Sequence, residues 1–176
     1  MILRTATLSD LDAIMRIEEA SFIPEIQEDR EVFKKRIEVC PSCFLVFEFE
    51  GRVGGYLSAE FMDHIPLAAD ELKLGHFPAP AESNDVKNQF IYISSFALLP
   101  EFRGGGNGRK MWNEALKYFR NKFSPTGFLL LVNELWGGAK HIYSESGFET
   151  ISIFENFFPC DGEGFSNGIL MKNLLK

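Results

Sequence analysis

The stretch FALLPEFRGGGNGRKMWNEAL, Phe96–Leu116, joins an apolar run, a glycine-rich turn and an amphipathic run in that order. Four of the ten residues from Glu101 to Lys110 are glycines, which allow positive φ angles and close approach of a ligand to the backbone. The N-terminus of a helix presents free N–H groups and the positive end of its dipole. Arg103, Arg109 and Lys110 add cationic side chains nearby. This strand–turn–helix order is therefore typical of phosphate binding.

The spacing of the glycines narrows the kind of phosphate site. A P-loop requires Gly-Lys-Ser/Thr, which Gly108-Arg109-Lys110 does not supply. A dinucleotide fingerprint requires GxGxxG in an early βαβ unit, whereas this loop follows the fourth predicted strand. The pattern that fits is Arg-x-x-Gly-x-Gly, at Arg103, Gly106 and Gly108. Taken alone, these six residues also fit a turn with no ligand.

Periodicity along the rest of the chain predicts alternating strands and helices. The first strand is Ile2–Ala6, and Ser9, with Asp12 three residues on, is the predicted N-cap of a helix that ends near Ser21. A second helix ends at Pro41. The other predicted elements are strands Phe44–Phe49, Val53–Phe61 and Phe90–Leu99, a helix containing Met111–Phe119, the strand GFLLLV, a short helix before Gly147, and strands within FETISIFENF and GILMKNLL.

The resulting order is β-α-α-β-β-β-α-β-α-β-β, which predicts one α/β domain, residues 1–176, around a mixed central sheet. Residues 63–89 form a long connection with three prolines and no sustained periodicity. Two interpretations of this insertion stay open: it is a functional flap, or it is an ordered segment with no role in function.

Composition and charge exclude several classes of protein. The 18 Lys and Arg against 25 Asp and Glu give a net charge of −7, which argues against nucleic-acid binding and is compatible with a cationic small substrate. No apolar run is long enough to span a membrane, and the N-terminal residues do not have the pattern of a targeting segment. We therefore expect no membrane partner. Three cysteines fit a reducing cytoplasm. CPSC, Cys40–Cys43, has no second pair to complete a zinc site, so we predict ordinary thiols and no metal.

Two motifs resemble those of the GNAT N-acetyltransferase superfamily. Pro100, Glu101, Phe102 and Arg103 stand where the family's motif A has its proline, acidic, aromatic and arginine residues, ahead of the Gly-x-Gly of the pyrophosphate loop. Downstream, AKHIYSESGFE is similar to the next family motif, Ala-x-x-x-Tyr-x-x-x-Gly-Phe. The matching residues are Ala139, Tyr143, Gly147 and Phe148. The resemblance covers nearly the whole chain and implies a single GNAT-like domain with about seven mostly antiparallel strands and about four helices.

A narrower resemblance, to the arylalkylamine N-acetyltransferase branch, lies in EVCPSCFLVFEFEGRVGGYL and IEEASF. The superfamily resemblance implies acetyl-CoA as co-substrate, held by backbone N–H groups of the fourth strand. It also implies that a tyrosine, here Tyr143, protonates the departing thiolate, since a phenol with a pKa near 10 is protonated at neutral pH. The implied cofactor-binding residues are Phe96, Ala97, Leu98, Arg103, Gly104, Gly105, Gly106, Asn107, Gly108 and Arg109.

The sequence leaves the base open. Tyr92 and Ser94 occupy the places of two histidines of the arylalkylamine branch. Tyr92 and Ser94 can hold a chain of water molecules that carries the proton of the amine to solvent. Alternatively, the amine enters the site already neutral. Of the three histidines, His64 is the one to test, although solvent exposure is the plain alternative for each. A second departure is Trp136, where many family members have an asparagine.

The acceptor site is predicted from aromatic residues beside carboxylates, a composition that suits an aryl-alkyl amine or polyamine. We expect direct acetyl transfer to the primary amine of a small molecule, by a monomer or homodimer. One alternative is an acyl-CoA-binding sensor or partner module without turnover, and another is a protein or peptide N-acetyltransferase. The predicted acceptor contacts are Phe22, Glu25, Phe61 and Asp63.

Overall fold

A computed structural model describes residues 1–72, 75 and 89–175. These residues form a seven-stranded sheet in the order β1-β2-β3-β4-β5-β7-β6, with four α-helices. The predicted insertion falls largely outside the described residues, and so does His76. The elements are β1 (Ile2–Thr5), α1 (Leu11–Ser21), α2 (Arg30–Val39), β2 (Phe44–Phe49), β3 (Arg52–Met62), β4 (Phe90–Leu98), α3 (Asn107–Phe123), β5 (Gly127–Asn133), α4 (Gly137–Glu145), β6 (Glu149–Pro159) and β7 (Phe165–Leu174).

The predicted fold class is confirmed, with antiparallel pairing between all neighbouring strands of the described sheet except the parallel pair β4 and β5. Residues of β2 alternate between the two faces, as the two-residue period of a strand requires. Leu45 and Phe47 pack with α3 and α4, whereas Phe44 and Val46 pack with α1 and α2. The sheet is therefore covered on both sides.

Close packing of α3 on the sheet depends on a glycine of β3. A Cβ atom at Gly55 would lie 2.4 Å from Cε of Met111, so no larger residue fits without movement. The core on this face then continues through Trp112 and Phe119, both fully buried. This packing fixes the N-terminus of α3, and with it the glycine-rich turn, against the end of β4.

Three local predictions are wrong. Thr7, not Ser9, makes the capping interaction before α1, because a 3-10 turn over Leu8–Asp10 precedes the helix and Asp10 accepts the Thr7 N–H at 2.8 Å. Cys40 and Cys43 are joined in a disulfide rather than being separate thiols. Strand β6 continues to Pro159 and strand β7 begins at Phe165, so both extend beyond the predicted segments FETISIFENF and GILMKNLL. Among the helices of the described chain, none has the length and apolar character needed to cross a membrane.

Candidate active site

Strands β4 and β5 separate at the centre of the sheet. Pairing of β4 with β3 continues to Leu98, but its pairing with β5 ends at Ile93. The Leu99 N–H donates to the Gly54 carbonyl at 2.8 Å. Because successive N–H groups of a strand point in opposite directions, those of Phe96 and Leu98 point away from β3 and into the opening. Within the described residues, this edge of β4 has no strand partner beyond Ile93.

A β-bulge turns two serines of β4 toward the α1–α2 face. Ser58 pairs with Ser95 and Ala59 with Ile93, which leaves Ser94 as the extra residue. Ser94 donates to the Ser58 carbonyl at 3.2 Å and accepts from Arg36 at 3.3 Å. The Ser95 hydroxyl lies 2.6 Å from the Tyr56 hydroxyl. Both serines therefore belong to hydrogen-bond networks on the same side of the sheet.

A cleft of about 910 Å³ runs along this opening. One wall combines the free edge of β4 with residues of β5 and α4, including Tyr143. The other wall comes from the segment after α1, from β6 and from a group of buried charged side chains. Residues that line the cleft include Phe22, Tyr92, Ser95, Phe96, Ala97, Leu98, Arg103, Val132, Trp136, Ile142, Tyr143 and Phe158.

Tyr143 is packed against the core at the cleft. Its side chain is buried and its ring centroid lies 4.5 Å from that of Trp112 on α3. Burial raises the pKa of the phenol above its usual value, so the hydroxyl is protonated at neutral pH. A neutral phenol in this position can donate a hydrogen bond or a proton.

The glycine-rich turn ends β4 and begins α3. Gly104, Gly105 and Gly106 have φ angles of 84°, 56° and 80°, a left-handed region that side chains disfavour. The first helical hydrogen bond runs from the Lys110 N–H to the Gly106 carbonyl at 2.9 Å. The N–H groups of Gly108 and Arg109 therefore project from the helix end, where an anion is favoured, whereas the Asn107 N–H donates to the Gly104 carbonyl at 3.1 Å.

Polar side chains brace this turn. Arg103 donates to the Leu98 carbonyl at 2.8 Å and to Ser21 at 3.1 Å, and it also lines the cleft. Asn107 donates to the Phe102 carbonyl at 2.9 Å. Arg109 forms an ion pair with Glu145 of α4. The turn is thus tied to α1 and α4 as well as to β4.

A cluster of charged side chains is buried behind the bulge. Arg36 of α2 lies 3.2 Å from Glu28 and 3.7 Å from Glu60, and all three side chains are at most 6% exposed. Buried charges are stable only when they are paired and hydrogen-bonded, and Arg36 supplies that pairing here. No group of three or more His, Cys, Asp or Glu residues in the described chain is arranged to hold a metal ion.

Glu18 of α1 is a second buried acid at the cleft, 1% exposed. It accepts a hydrogen bond from the Tyr56 hydroxyl and another, at 2.8 Å, from the Glu28 N–H. Burial raises the pKa of this carboxyl to about 7, only partly offset by the hydrogen bond from Tyr56. Glu18 therefore changes charge near neutral pH, where a general base is effective.

The predicted acceptor residues divide into two pairs. Phe22 and Glu25 line the cleft, and Phe22 contacts Trp136 with ring centroids 5.6 Å apart. Phe61 packs against Phe123 at 5.0 Å, with the core on the α3 side. Asp63 is exposed and contacts His64. Within the described residues, Phe61 and Asp63 lie outside the cleft lining. Glu60, the neighbour of Phe61 in β3, lines the cleft instead, since adjacent residues of a strand point to opposite faces.

The structure places the predicted candidates for the general base in different parts of the molecule. Tyr92 lines the cleft, but burial and the nearby Glu60 charge raise its pKa. His64 is exposed between Asp63 at 2.5 Å and Glu71 at 2.6 Å, and these carboxylates raise its pKa. His141 is exposed, 3.4 Å from Glu145. Neither histidine is among the described residues that line the cleft.

Sequence reasoning missed Glu18 and Arg36 as site residues, although each carried a signal. Glu18 lies seven residues after Leu11 and four residues after Ile14, and this spacing places it on the apolar stripe of α1. Arg36 lies between Phe33 and Ile37 on the stripe of α2. A charged residue within an apolar stripe is informative, since such residues are rarely buried without a partner.

Comparison with known proteins identifies the family of this α/β domain. The model for the Acetyltransferase (GNAT) family matches residues 11–148, so the chain belongs to that family. This assignment confirms the superfamily resemblance of the two motifs and the prediction of an acetyltransferase enzyme.

A relative from Sulfolobus acidocaldarius, an N-alpha-acetyltransferase, is 27% identical over 161 residues, which are 92% of this chain and 86% of the relative. Among solved structures, Arabidopsis thaliana Naa50 in complex with the bisubstrate analogue CoA-Ac-MVNAL superposes with a TM-score of 0.73 at 13% identity, covering 99% of this chain and 98% of that one. The loading GNATL domain of CurA from Lyngbya majuscula gives a TM-score of 0.78 at 15% identity, covering 98% and 96%. At these identities the structures show a shared fold.

Proposed function

We propose that this protein transfers the acetyl group of acetyl-CoA to the α-amino group of a peptide or protein N-terminus. The observation that carries the proposal is the similarity to an N-alpha-acetyltransferase over 92% of the chain. The comparisons give no support to the arylalkylamine branch, so the peptide acceptor, an alternative on the sequence alone, replaces the small amine as the leading hypothesis.

Support for acetyl-CoA comes from groups that fit its parts. The helix end after Gly104–Gly106 suits a pyrophosphate, and Arg103 adds a positive charge beside it. The edge of β4 with its outward N–H groups suits the amides of a pantetheine arm, which would add to the sheet as a strand does. Acetyl-CoA, when bound, supplies the acetyl group as an activated thioester.

The chain's own groups then act on the reaction in two places. A backbone N–H of Phe96 or Leu98 stabilises the negative charge that develops on the acetyl oxygen, a contribution of about 3 kcal/mol for one such donor. Tyr143, neutral in its buried setting, donates a proton to the departing sulfur. The opposite wall, with Phe22 and Glu25, receives the acceptor.

A thiol-release assay with acetyl-CoA and an acceptor panel tests this proposal. The panel contains peptides that differ in their first residue, the same peptides with a blocked α-amino group and a free lysine, and a set of arylalkylamines and polyamines. We expect kcat/KM for at least one free N-terminus to exceed that for every small amine by about a hundredfold. Mass spectrometry of the product locates the acetyl group on the α-nitrogen.

Other results would decide against the proposal. Faster turnover of an arylalkylamine would favour a small acceptor, an outcome consistent with the aromatic group Phe22, Trp136 and Phe158 at the cleft. Binding of acetyl-CoA by calorimetry with no turnover of any amine would favour a binding module.

A further inference from the structure

We propose that Ser95, Tyr56 and Glu18 form a proton path from the cleft, and that Glu18 accepts the proton which the acceptor's ammonium group must lose before it can attack. The inference rests on the proposed function, since it requires an amine in the cleft. It supplies the base that the sequence leaves open.

The hydrogen bonds give this path a direction. A tyrosine hydroxyl has one proton, and that of Tyr56 is donated to the Glu18 carboxylate. The contact of 2.6 Å between the Tyr56 and Ser95 oxygens must then use the Ser95 proton. Ser95, a residue that lines the cleft, is thereby left with free lone pairs on its hydroxyl oxygen. An acceptor oxygen in this position suits an ammonium donor.

Proton transfer along the path balances in atoms and charge. The ammonium gives one proton to the Ser95 oxygen, the Ser95 proton moves to Tyr56, and the Tyr56 proton moves to Glu18. The net change is an ammonium and a carboxylate becoming a neutral amine and a carboxylic acid, with both hydroxyls unchanged. As the bond to the acetyl carbon forms and the bond to sulfur breaks, Tyr143 gives its proton to the thiolate, and the second proton of the amine restores the Tyr143 phenol. Glu18 later returns its proton to solvent through the same groups.

The surroundings of Glu18 suit a reversible acceptor. Its carboxylate faces Tyr56 from β3, the Glu28 N–H and side chain from the segment before α2, and the Arg36 charge from α2. Burial and the Glu28 charge raise its pKa, while the hydrogen bonds and Arg36 lower it, and the balance is about 7. A carboxyl of this kind accepts a proton at neutral pH and releases it again.

Nuclear magnetic resonance tests the acceptor without turnover. In protein labelled with ¹³C at glutamate carboxyls and free of acetyl-CoA, we expect one carboxyl to titrate near pH 7 and to be missing from Glu18→Gln. Titration of every glutamate below about pH 5 would overturn the proposal. The control Glu19→Gln removes an exposed neighbour and should leave the signal near pH 7 unchanged.

The pH profile tests the path itself. We expect kcat/KM of the wild type to rise with pH through about 7. In Glu18→Gln and Ser95→Ala the rise of kcat/KM should instead follow the pKa of the peptide amine, near 8. At pH 6.5 their kcat/KM should be at least tenfold below that of the wild type. Glu19→Gln should retain the wild-type profile. If Glu18→Gln does not fold, Ser95→Ala still decides the result.

The two proposals fail in different ways. An active wild type whose pH profile is unchanged in both Glu18→Gln and Ser95→Ala would overturn the path and leave the proposed function standing. A wild type that acetylates no amine would overturn the proposed function.

Discussion

Trp112 of α3 and Tyr143 of α4 are in contact, with ring centroids 4.5 Å apart at an interplanar angle of 45°. Trp112 is fully buried, and the helix that carries it begins at the glycine-rich turn. The contact therefore fixes the Tyr143 phenol relative to the helix end that we assign to the pyrophosphate. The distance between the two parts of the proposed acetyl-CoA site is set by core packing rather than by a loop.

Replacing Tyr143 with phenylalanine tests the proton donor. The ring stays packed against Trp112, so we expect the fold and the Kd for acetyl-CoA to be nearly unchanged. Loss of the hydroxyl removes the proposed general acid, so kcat should fall at least tenfold. Steady-state kinetics and calorimetry measure the two quantities. Tyr118→Phe, on the same core face but outside the described cleft lining, is the control. An unaltered kcat would remove Tyr143 from the mechanism.

Gly106→Ala tests the turn. Gly106 has a φ of 80° and no described atom within 4 Å of a Cβ position, so alanine strains the backbone without a clash. The backbone strain of alanine at this φ is about 1–2 kcal/mol, and a shift of the helix end would relieve part of it. Because this shift moves the N–H groups at the helix end, the affinity for acetyl-CoA should fall about tenfold. Gly162→Ala, at a φ of 102° in the β6–β7 loop, has similar strain away from the turn. Equal calorimetric Kd values for both variants would contradict a pyrophosphate site at Gly106.

The fold could be predicted from sequence because its signals are local. Apolar runs, helical spacing and the two family motifs lie within single elements, so the strand and helix order emerged correctly. Capping at Thr7 was missed because both Thr7 and Ser9 are N-cap residues, and the choice depends on Arg4 of β1, which holds Asp10 from a neighbouring element. Tertiary contacts of this kind are absent from a pattern read along the chain.

The site was only partly predictable for the same reason. Tyr143 and the glycine turn belong to contiguous motifs, whereas the path from Ser95 to Glu18 joins β4, β3 and α1. Its formation depends on the bulge that leaves Ser94 unpaired, and a bulge has no clear signal in ISSF. Phe61 was assigned to the acceptor site by composition, although strand alternation points it toward Phe123.

Arg36→Met tests the buried charge cluster. The change leaves Glu28 and Glu60 without their shared cation in a desolvated position, and the free energy of unfolding should fall by about 3–5 kcal/mol. Urea denaturation at pH 7 measures the loss. Lys34→Met removes a cation from the same helix whose ion pair with Glu31 is exposed, and it should cost less than about 1 kcal/mol. Equal losses would show that the Arg36 pairing contributes little.

Asp10→Asn tests the ion pair that anchors α1 to β1. The carboxylate accepts two hydrogen bonds of 2.8 Å from Arg4 and one from the Thr7 N–H, and the Arg4 hydrogen bonds lower its pKa to about 2. A carboxyl with a lowered pKa stabilises the fold above its unfolded pKa, near 4, and this contribution is lost as pH falls through about 2. We expect Asp10→Asn to cost about 1–2 kcal/mol at pH 7, and the difference from the wild type to shrink below pH 4. Thermal unfolding followed from pH 7 to pH 2 measures this difference.

The control is Asp12→Asn, which changes an exposed carboxylate paired with Arg30 and should behave like the wild type throughout. A constant Asp10→Asn deficit across this range would show that the side chain acts through shape rather than charge.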